Sequence, residues 1–230
     1  MKVNKAVYLL SILFLSSYAS TETDPLKDLN QNTHNLNQTL DLQVASPVAR
    51  FYKRITPDFI EIGVTNFTQN VEDLSIGLNN ILQGKIKSGF SDLGRFALNS
   101  TIGIAGFLDI ATDMGLEKHD EDFGQTLAVW GVPDGPYLVL PGLGPSTMRD
   151  TLAMIPDAFL TPLWLIDHDR TSYSLTAIDL IDTRARYLGL ESVVIGDEYL
   201  FYRDAYLQSR QFEIKDGEIE DDFDDFDDFN

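Results

Sequence analysis

The chain has no cysteine at all. No disulfide can staple it and no thiol can hold zinc, carry a lipid or act as a nucleophile, so its stability must come from packing. Histidine is almost as scarce: only His34, His119 and His168 are present, which leaves few ways to assemble a histidine-based triad or metal centre. Basic residues are outnumbered, 17 Lys and Arg against 36 Asp and Glu, for a formal charge of −19. Such a surface disfavours nucleic acid and anionic headgroups as simple electrostatic partners. Beyond the first residues there is also no long apolar run. The longest uncharged stretches, 96–108 and 135–148, fall short of the roughly 18 residues a spanning helix needs. A membrane contact would have to be made by lying in the bilayer.

The start of the chain reads differently. Lys2 and Lys5 precede AVYLLSILFL and then Ser17-Tyr18-Ala19. A basic end, an apolar run and small residues at the −3 and −1 positions are the pattern of a secretory signal, so residues 1–19 are expected to be removed and the rest exported. The exported chain carries −21, and its body over residues 20–215 carries −12. The final stretch, DGEIEDDFDDFDDFN, holds nine acids and no base. Its like charges repel, so residues 214–230 are expected to form an acidic disordered tail. A calcium loop is a poor reading of it, because the spaced Asp/Asn-Gly pattern is missing.

Between these ends, periodicity predicts helices. Asp24 and Pro25 suit a helix start, and Leu26, Leu29, Thr33, Leu36 and Leu40 line one face opposite a face of Asn and Gln. Ser46-Pro47 restarts the chain into a short helix with Val48, Phe51, Tyr52 and Ile55. After Thr56-Pro57, Ile60, Val64, Phe67, Val71, Leu74, Leu78 and Ile81 give the strongest periodicity in the sequence, an expected core stripe, with Gly84 as its stop. Further helices are expected to about Ser100, from Ser146 with interruptions at Pro156 and Pro162, from Leu175 to Gly189, and from about Asp197 to Arg210. YLVL and SVVI are short, isolated strand signals. The fold class is mostly α: one helical domain over residues 20–213.

One stretch does not fit a helix. Residues 123–150, FGQTLAVWGVPDGPYLVLPGLGPSTMRD, hold five glycines and four prolines, and Asp134 is the sole charge before Arg149. Broken yet apolar backbone must still pair its polar groups. Such a stretch is either a packed internal loop or a wall facing something apolar. It offers no reaction chemistry. PGLGPST lacks the lysine and glycine spacing of a phosphate loop, and Ser146 is not in a G-x-S-x-G elbow, so a helix cap suits it better. His119-Asp120-Glu121-Asp122 cannot converge on one metal from consecutive positions, and a deaminase reading of H-x-E fails for want of cysteine. Asp120 is instead expected to cap a helix. No cofactor, no metal and no enzyme activity are expected.

HDEDFGQTLAVWGVPDGPYLVLPGLGPSTMRD resembles the most distinctive motif of the MlaA (VacJ) family of Gram-negative outer membranes. The resemblance extends upstream through SPVARFYKRITPDFIEIGVTNF, LNNILQGK and DLGRFALNSTIGIAGFLDIA, and covers about residues 24–210. It implies a helical ring in the outer membrane with an amphipathic channel, which takes mislocalised phospholipid from the outer leaflet and passes it to a periplasmic lipid-carrier protein. A trimeric outer-membrane porin is the implied partner, and the implied place is the periplasmic side of the cell outer membrane. Motif positions carried over as lipid-path candidates are Phe123, Gly124, Trp130, Gly131, Gly135, Pro136, Tyr137, Pro141, Gly144, Arg149 and Asp150. One departure stands out. Family members are typically lipoproteins, with a cysteine after the signal, and here that place reads SSYASTE. A non-lipidated periplasmic binding or scaffold protein of the same fold is therefore the alternative expectation.

Overall fold

The computed structural model describes residues 24–161, 169–189, 194 and 196–218. The signal segment, residues 219–230 of the acidic tail, Pro162, His168 and most of SVVI lie outside these residues.

The chain opens with α1 (Lys27–Leu40), which runs through a π-helical turn (Asp41–Ala45) directly into α2 (Ser46–Ile55). Ser46-Pro47 therefore does not restart the chain as expected. Proline removes an N–H and crowds the preceding turn. The π turn absorbs both by widening the ladder there, with the Ser46 N–H reaching Asp41 O, a usual device where a long helix must accommodate an irregularity. Next come α3 (Asp58–Leu82) and α4 (Ile86–Thr101), a tightly packed hairpin closed at Gly84, where φ is +86°. Close approach of the two axes depends on Gly77 and Gly89. A Cβ on Gly89 would sit 2.8 Å from the Gly77 carbonyl oxygen, and one on Gly77 would sit 3.0 Å from that of Gly89. Then follow α5 (Ile110–Asp113), α6 (Phe123–Val129), the antiparallel hairpin β1 (Tyr137–Leu140) and β2 (Gly144–Thr147), α7 (Met148–Leu160), α8 (Asp169–Arg186) and α9 (Glu198–Ile214).

Several local expectations change. YLVL is not isolated: Tyr137 pairs with Thr147 and Leu140 with Gly144. Its partner, GPST, has no strand character of its own and is held by the pairing. Asp122, not Asp120, caps α6, its carboxylate accepting from the Gln125 N–H at 2.8 Å. Thr147, not Ser146, caps α7, and Ser146 is buried in β2. Helix α7 also continues through Pro156.

The larger difference is in what the helices bury. Along α3 the expected core stripe, Ile60 to Ile81, is only half-buried, while Thr68, Asn70, Asp73, Ser75, Asn79 and Asn80 are buried. The same inversion holds elsewhere. Buried polar and charged residues include Asn30, Asp92, Arg95, Asn99, Arg149, Asp150, Asp182 and Arg210, whereas the buried apolar set is small. Large apolar residues stand exposed in number: Leu36, Val48, Phe51 and Ile55 on α1 and α2, Phe59 and Ile62 on α3, Leu152, Ile155 and Phe159 on α7. Buried polar groups need partners, and most of these side chains have at least one, although single atoms such as Asn70 Oδ1 and Asn80 Oδ1 accept no hydrogen bond. Arg95, 2% exposed, donates from Nη2 to both carboxylate oxygens of Asp109 at 3.0 Å and from Nη1 to Leu116 O at 2.8 Å. Asn99 joins Asp109 at 2.9 Å. Burial pushes the Asp109 carboxyl up, but hydrogen bonds from Thr112, Asn99 and Arg95 outweigh it and hold it down to about 2. Asn80 donates to Asp92, which faces His119, and Asp182 accepts from Tyr52 and Thr65.

Candidate functional site

Residues 123–150 fold as a short helix, a turn, the hairpin and the start of α7, packed on one side and open on the other. The packed side is organised by an arginine that lies 60 residues further on. Arg210 of α9 donates from Nε and Nη2 to the two oxygens of Asp150, at 3.1 and 3.0 Å, and from Nη1 and Nη2 to Asp122, at 2.6 and 2.7 Å. Asp150 also accepts from Arg149 Nε at 3.0 Å, Thr147 Oγ1 at 2.9 Å and Tyr206 Oη at 2.8 Å. Burial alone would raise the Asp150 carboxyl; the Arg210 guanidinium, with Arg149 and Tyr206, brings it below the ordinary range instead. Arg149 reaches back to Asp134 across the turn. The cluster thus ties the start of α6, the start of α7 and α9 into one unit with every carboxylate answered.

Of the residues singled out in the sequence, Gly124, Arg149 and Asp150 meet in this cluster. Gly124 is there for space: a Cβ would lie 2.4 Å from both Arg210 Nη2 and Asp150 Oδ1. Gly124→Ala is expected to lower stability by about 1–3 kcal/mol through overpacking, read by chemical denaturation. An unchanged midpoint would show that the ion cluster shifts freely. Tyr137 is buried with Tyr199 and packs on the half-buried Tyr206, ring centroids 6.2 Å away in each case, the first edge-on. Phe123 meets Trp130 edge-on at 5.9 Å, and the Trp130 indole donates to Leu82 O at 3.2 Å. Gly131, Gly135 and Gly144 hold φ of +86°, +69° and +91°, backbone that other residues rarely adopt. The Pro136 carbonyl accepts from Met148 N–H at 3.0 Å. Pro141 is exposed at the hairpin tip beside Leu143, and Trp130 and Val129 are exposed at the end of α6.

The free edge of β1 is covered by a helix. Asn30 of α1 donates to Tyr137 O and accepts from Val139 N–H, both at 2.9 Å. Two helical turns on, Asn37 donates to Leu140 O at 2.8 Å and accepts from Gly142 N–H at 2.7 Å. Each carboxamide presents the donor–acceptor pair that a neighbouring strand would. The Asn-rich face of α1 was legible in the sequence; its target, over 100 residues away, was not. Arg210, Tyr206 and Tyr199 were likewise missed, since nothing near them in the chain marks them as partners of this segment.

A second carboxylate supports α6 from behind. Asp157 accepts from Phe123 N–H with both oxygens, at 3.0 and 3.1 Å, and from Asn79 at 3.2 Å. Burial, with Asp122 nearby, pushes its carboxyl up to about 6. The folded state therefore binds this proton more tightly than the unfolded chain, and stability falls as pH rises from about 4 towards 6. Asp157→Asn is expected to flatten this slope, by about 1–2 kcal/mol once the partial solvent contact of the carboxyl is allowed for. Denaturation series at pH 4.5 and 7.5 check it, and identical slopes in both proteins would refute it.

No reacting set emerges from this geometry. Ser146 Oγ bonds Thr151 Oγ1 at 3.0 Å and donates to Thr147 O, while the His119 ring faces Asp92. Among the described residues no group of three His, Asp or Glu is placed to hold a metal. What remains is a framework of satisfied ion pairs inside an apolar exterior.

Comparison with known proteins decides the family. Residues 22–213 match the family model described as MlaA lipoprotein. The chain belongs to this family. Among MlaA relatives, the Escherichia coli protein named intermembrane phospholipid transport system lipoprotein MlaA is 32% identical over 95% of this chain and 92% of its own length. The Haemophilus influenzae protein of the same name is 29% identical over 87% of this chain and 82% of its own. An uncharacterized Rickettsia felis protein is 33% identical over 84% and 78%. A solved structure described as "Structural basis for maintenance of bacterial outer membrane lipid asymmetry" superposes with a TM-score of 0.76 at 30% identity, covering 84% of this chain and all of that one. The mostly helical fold is thus the MlaA fold, and the names of the MlaA relatives describe a transport component rather than a catalyst.

Proposed function

We propose that this protein moves phospholipid between membranes, as a non-catalytic conduit at the periplasmic side of the outer membrane. It takes mislocalised phospholipid from the outer leaflet through an amphipathic channel and hands it to a periplasmic lipid-carrier protein, keeping the outer membrane asymmetric. A trimeric porin is its proposed membrane partner. The observation that carries this reading is the inverted packing: paired polar residues inside, large apolar residues outside. A water-soluble protein gains by the opposite arrangement. Among the described residues no helix is long and apolar enough to cross a membrane, so the apolar faces of α1, α2 and α7 are read as lying in the bilayer.

The chemistry of the cargo asks for such a body. A diacyl lipid carries roughly 30 methylenes at ~0.8 kcal/mol each, so bare tails in water cost on the order of 20–25 kcal/mol. A conduit has to cover the tails while a polar interior accepts the headgroup. Non-helical backbone such as residues 130–147 is tolerable at membrane depth where it is packed or lines a cavity.

The test is a lipid-crosslinking scan. Photoreactive residues placed singly across residues 123–149 should capture phospholipid in membranes at a subset of positions, with Trp130, Pro141 and Leu143 among the first to try. Loss of the protein should expose phospholipid on the cell surface and weaken resistance to detergents. Recovery as a porin-free periplasmic protein that captures no phospholipid would overturn the reading in favour of a periplasmic scaffold.

A further inference from the structure

At the corner where α2 ends, α3 begins and the last turn of α8 passes, the surface holds a cavity of about 450 Å³. That lies within the range of small-molecule sites, about 300–1,000 Å³. Its charged lining is balanced. Lys53 from α2 and Arg186 from α8 face Asp58 and Glu61 from α3, with Thr65 between them. Positions 58, 61, 62 and 65 share one helix face, so the acids and Thr65 present together with Ile62. This balance is unusual in a chain whose body carries −12. In the cavity Lys53 Nζ meets Glu61 at 2.6 Å, and Arg186 Nε lies 3.4 Å from the buried Asp182. Directly beside the charges the surface turns apolar: Ile55 and Ile62 are each 59% exposed and Phe59 is 66% exposed. A lining with separated charges of both signs, bordered by bare apolar side chains, fits the junction between the headgroup and the tails of an amphiphile.

We propose that this corner is a headgroup site for phospholipids bearing a phosphate and a primary amine, the phosphoethanolamine class. The proposal rests on the phospholipid-handling reading given above. The phosphate sits between Lys53 and Arg186, and the ammonium meets Asp58 and Glu61. The glycerol and first acyl methylenes cover Ile55, Phe59 and Ile62. Binding exchanges the Lys53–Glu61 pair for two ligand pairs and shares Arg186 between the phosphate and Asp182, whose carboxylate keeps Tyr52 and Thr65 as donors, so no charge is stranded. A phosphoglycerol headgroup offers no cation and leaves both carboxylates facing a net negative ligand. A quaternary ammonium has no N–H to donate and is usually held by aromatic faces, which this cavity lacks among its lining residues.

The experiment titrates the full-length protein in detergent with dihexanoyl phosphatidylethanolamine, phosphatidylglycerol and phosphatidylcholine, by calorimetry. The ethanolamine lipid is expected to bind about tenfold more tightly than the glycerol lipid, the effect of one well-placed charge-assisted contact. In the double variant Asp58→Asn, Glu61→Gln that ratio is expected to fall to about one. The circular dichroism spectrum should not change, because these changes remove charge from a partly open surface. Lys53→Met with Arg186→Met should weaken all three lipids. Glycerophosphoethanolamine without tails should bind more weakly than the lipid, and equal binding would overturn a lipid source. Lipid binding with no headgroup ranking, or a ranking that survives the double variant, overturns this site while leaving the transport reading intact. Absence of binding by all three lipids would instead count against the transport reading itself.

Discussion

Replacing Arg210 with methionine is expected to lower the free energy of unfolding by about 3–5 kcal/mol, the cost of leaving the buried Asp150 carboxylate without its main partner. The size follows from the number of groups that depend on one side chain. Among the described residues Arg210 alone bridges Asp122 and Asp150, and through them it joins the cap of α6 to the first turn of α7. Without it, Asp150 keeps Arg149 and Tyr206, but Asp122 keeps only its cap on Gln125. Arg210→Lys should recover little, since an ammonium cannot present two parallel N–H groups to two carboxylates at once. Denaturation with circular dichroism reads the first loss, and lipid crosslinking through Trp130 reads whether the open side of the segment is displaced with it. A loss below about 1 kcal/mol would mean that water replaces the arginine, and that the cluster is no more than a surface ion pair.

Charging the exterior is expected to do the reverse, sparing the fold and releasing the protein from membrane. Phe51 on α2 is 60% exposed and Ile155 on α7 is 62% exposed. Neither is needed to fill a core, so Phe51→Asp and Ile155→Asp should each change stability by no more than about 0.5 kcal/mol, as for surface positions generally. In the proposed setting the same positions face lipid, where an acid costs about 2–3 kcal/mol at depth and less near the interface. Together they should shift most of the protein from the membrane to the soluble fraction in a flotation assay. Retention equal to the unaltered protein would remove the support that the inverted packing lends to the transport proposal. A loss of stability in detergent would show instead that these side chains pack against the protein.

The contrast between these two predictions shows what the sequence could and could not disclose. Helices were legible wherever apolar residues recurred at helical spacing, and Gly84 and Gly189 marked two ends. Periodicity identifies residues that share a face, but it does not say what that face meets. The stripe from Ile60 to Ile81 reads as core because that is the usual fate of such a stripe in water. In this chain the neighbouring polar face, from Thr68 to Asn80, is the one that is buried. The hairpin was hidden for another reason. GPST forms a strand only because YLVL is there to pair with it, and pairing is not written in either segment alone. The candidate site was legible as a stretch, through its glycines and prolines, yet its organiser, Arg210, sits in a helix that reads as ordinary. The family resemblance located the segment; only the fold shows why Gly124 must be a glycine.

The two asparagines on α1 have a further consequence, one of measure. Seven residues of helix advance about 10.5 Å, and three residues of strand advance about 10 Å. Asn30 and Asn37 are seven apart and their targets on the hairpin, Val139 and Gly142, are three apart. Helix and strand therefore keep step over this distance without strain in either. A one-residue insertion or deletion between the asparagines would swing the second amide by about 100° around the helix and strand it. The segment from 30 to 37 works as a ruler whose length is fixed by the strand it measures.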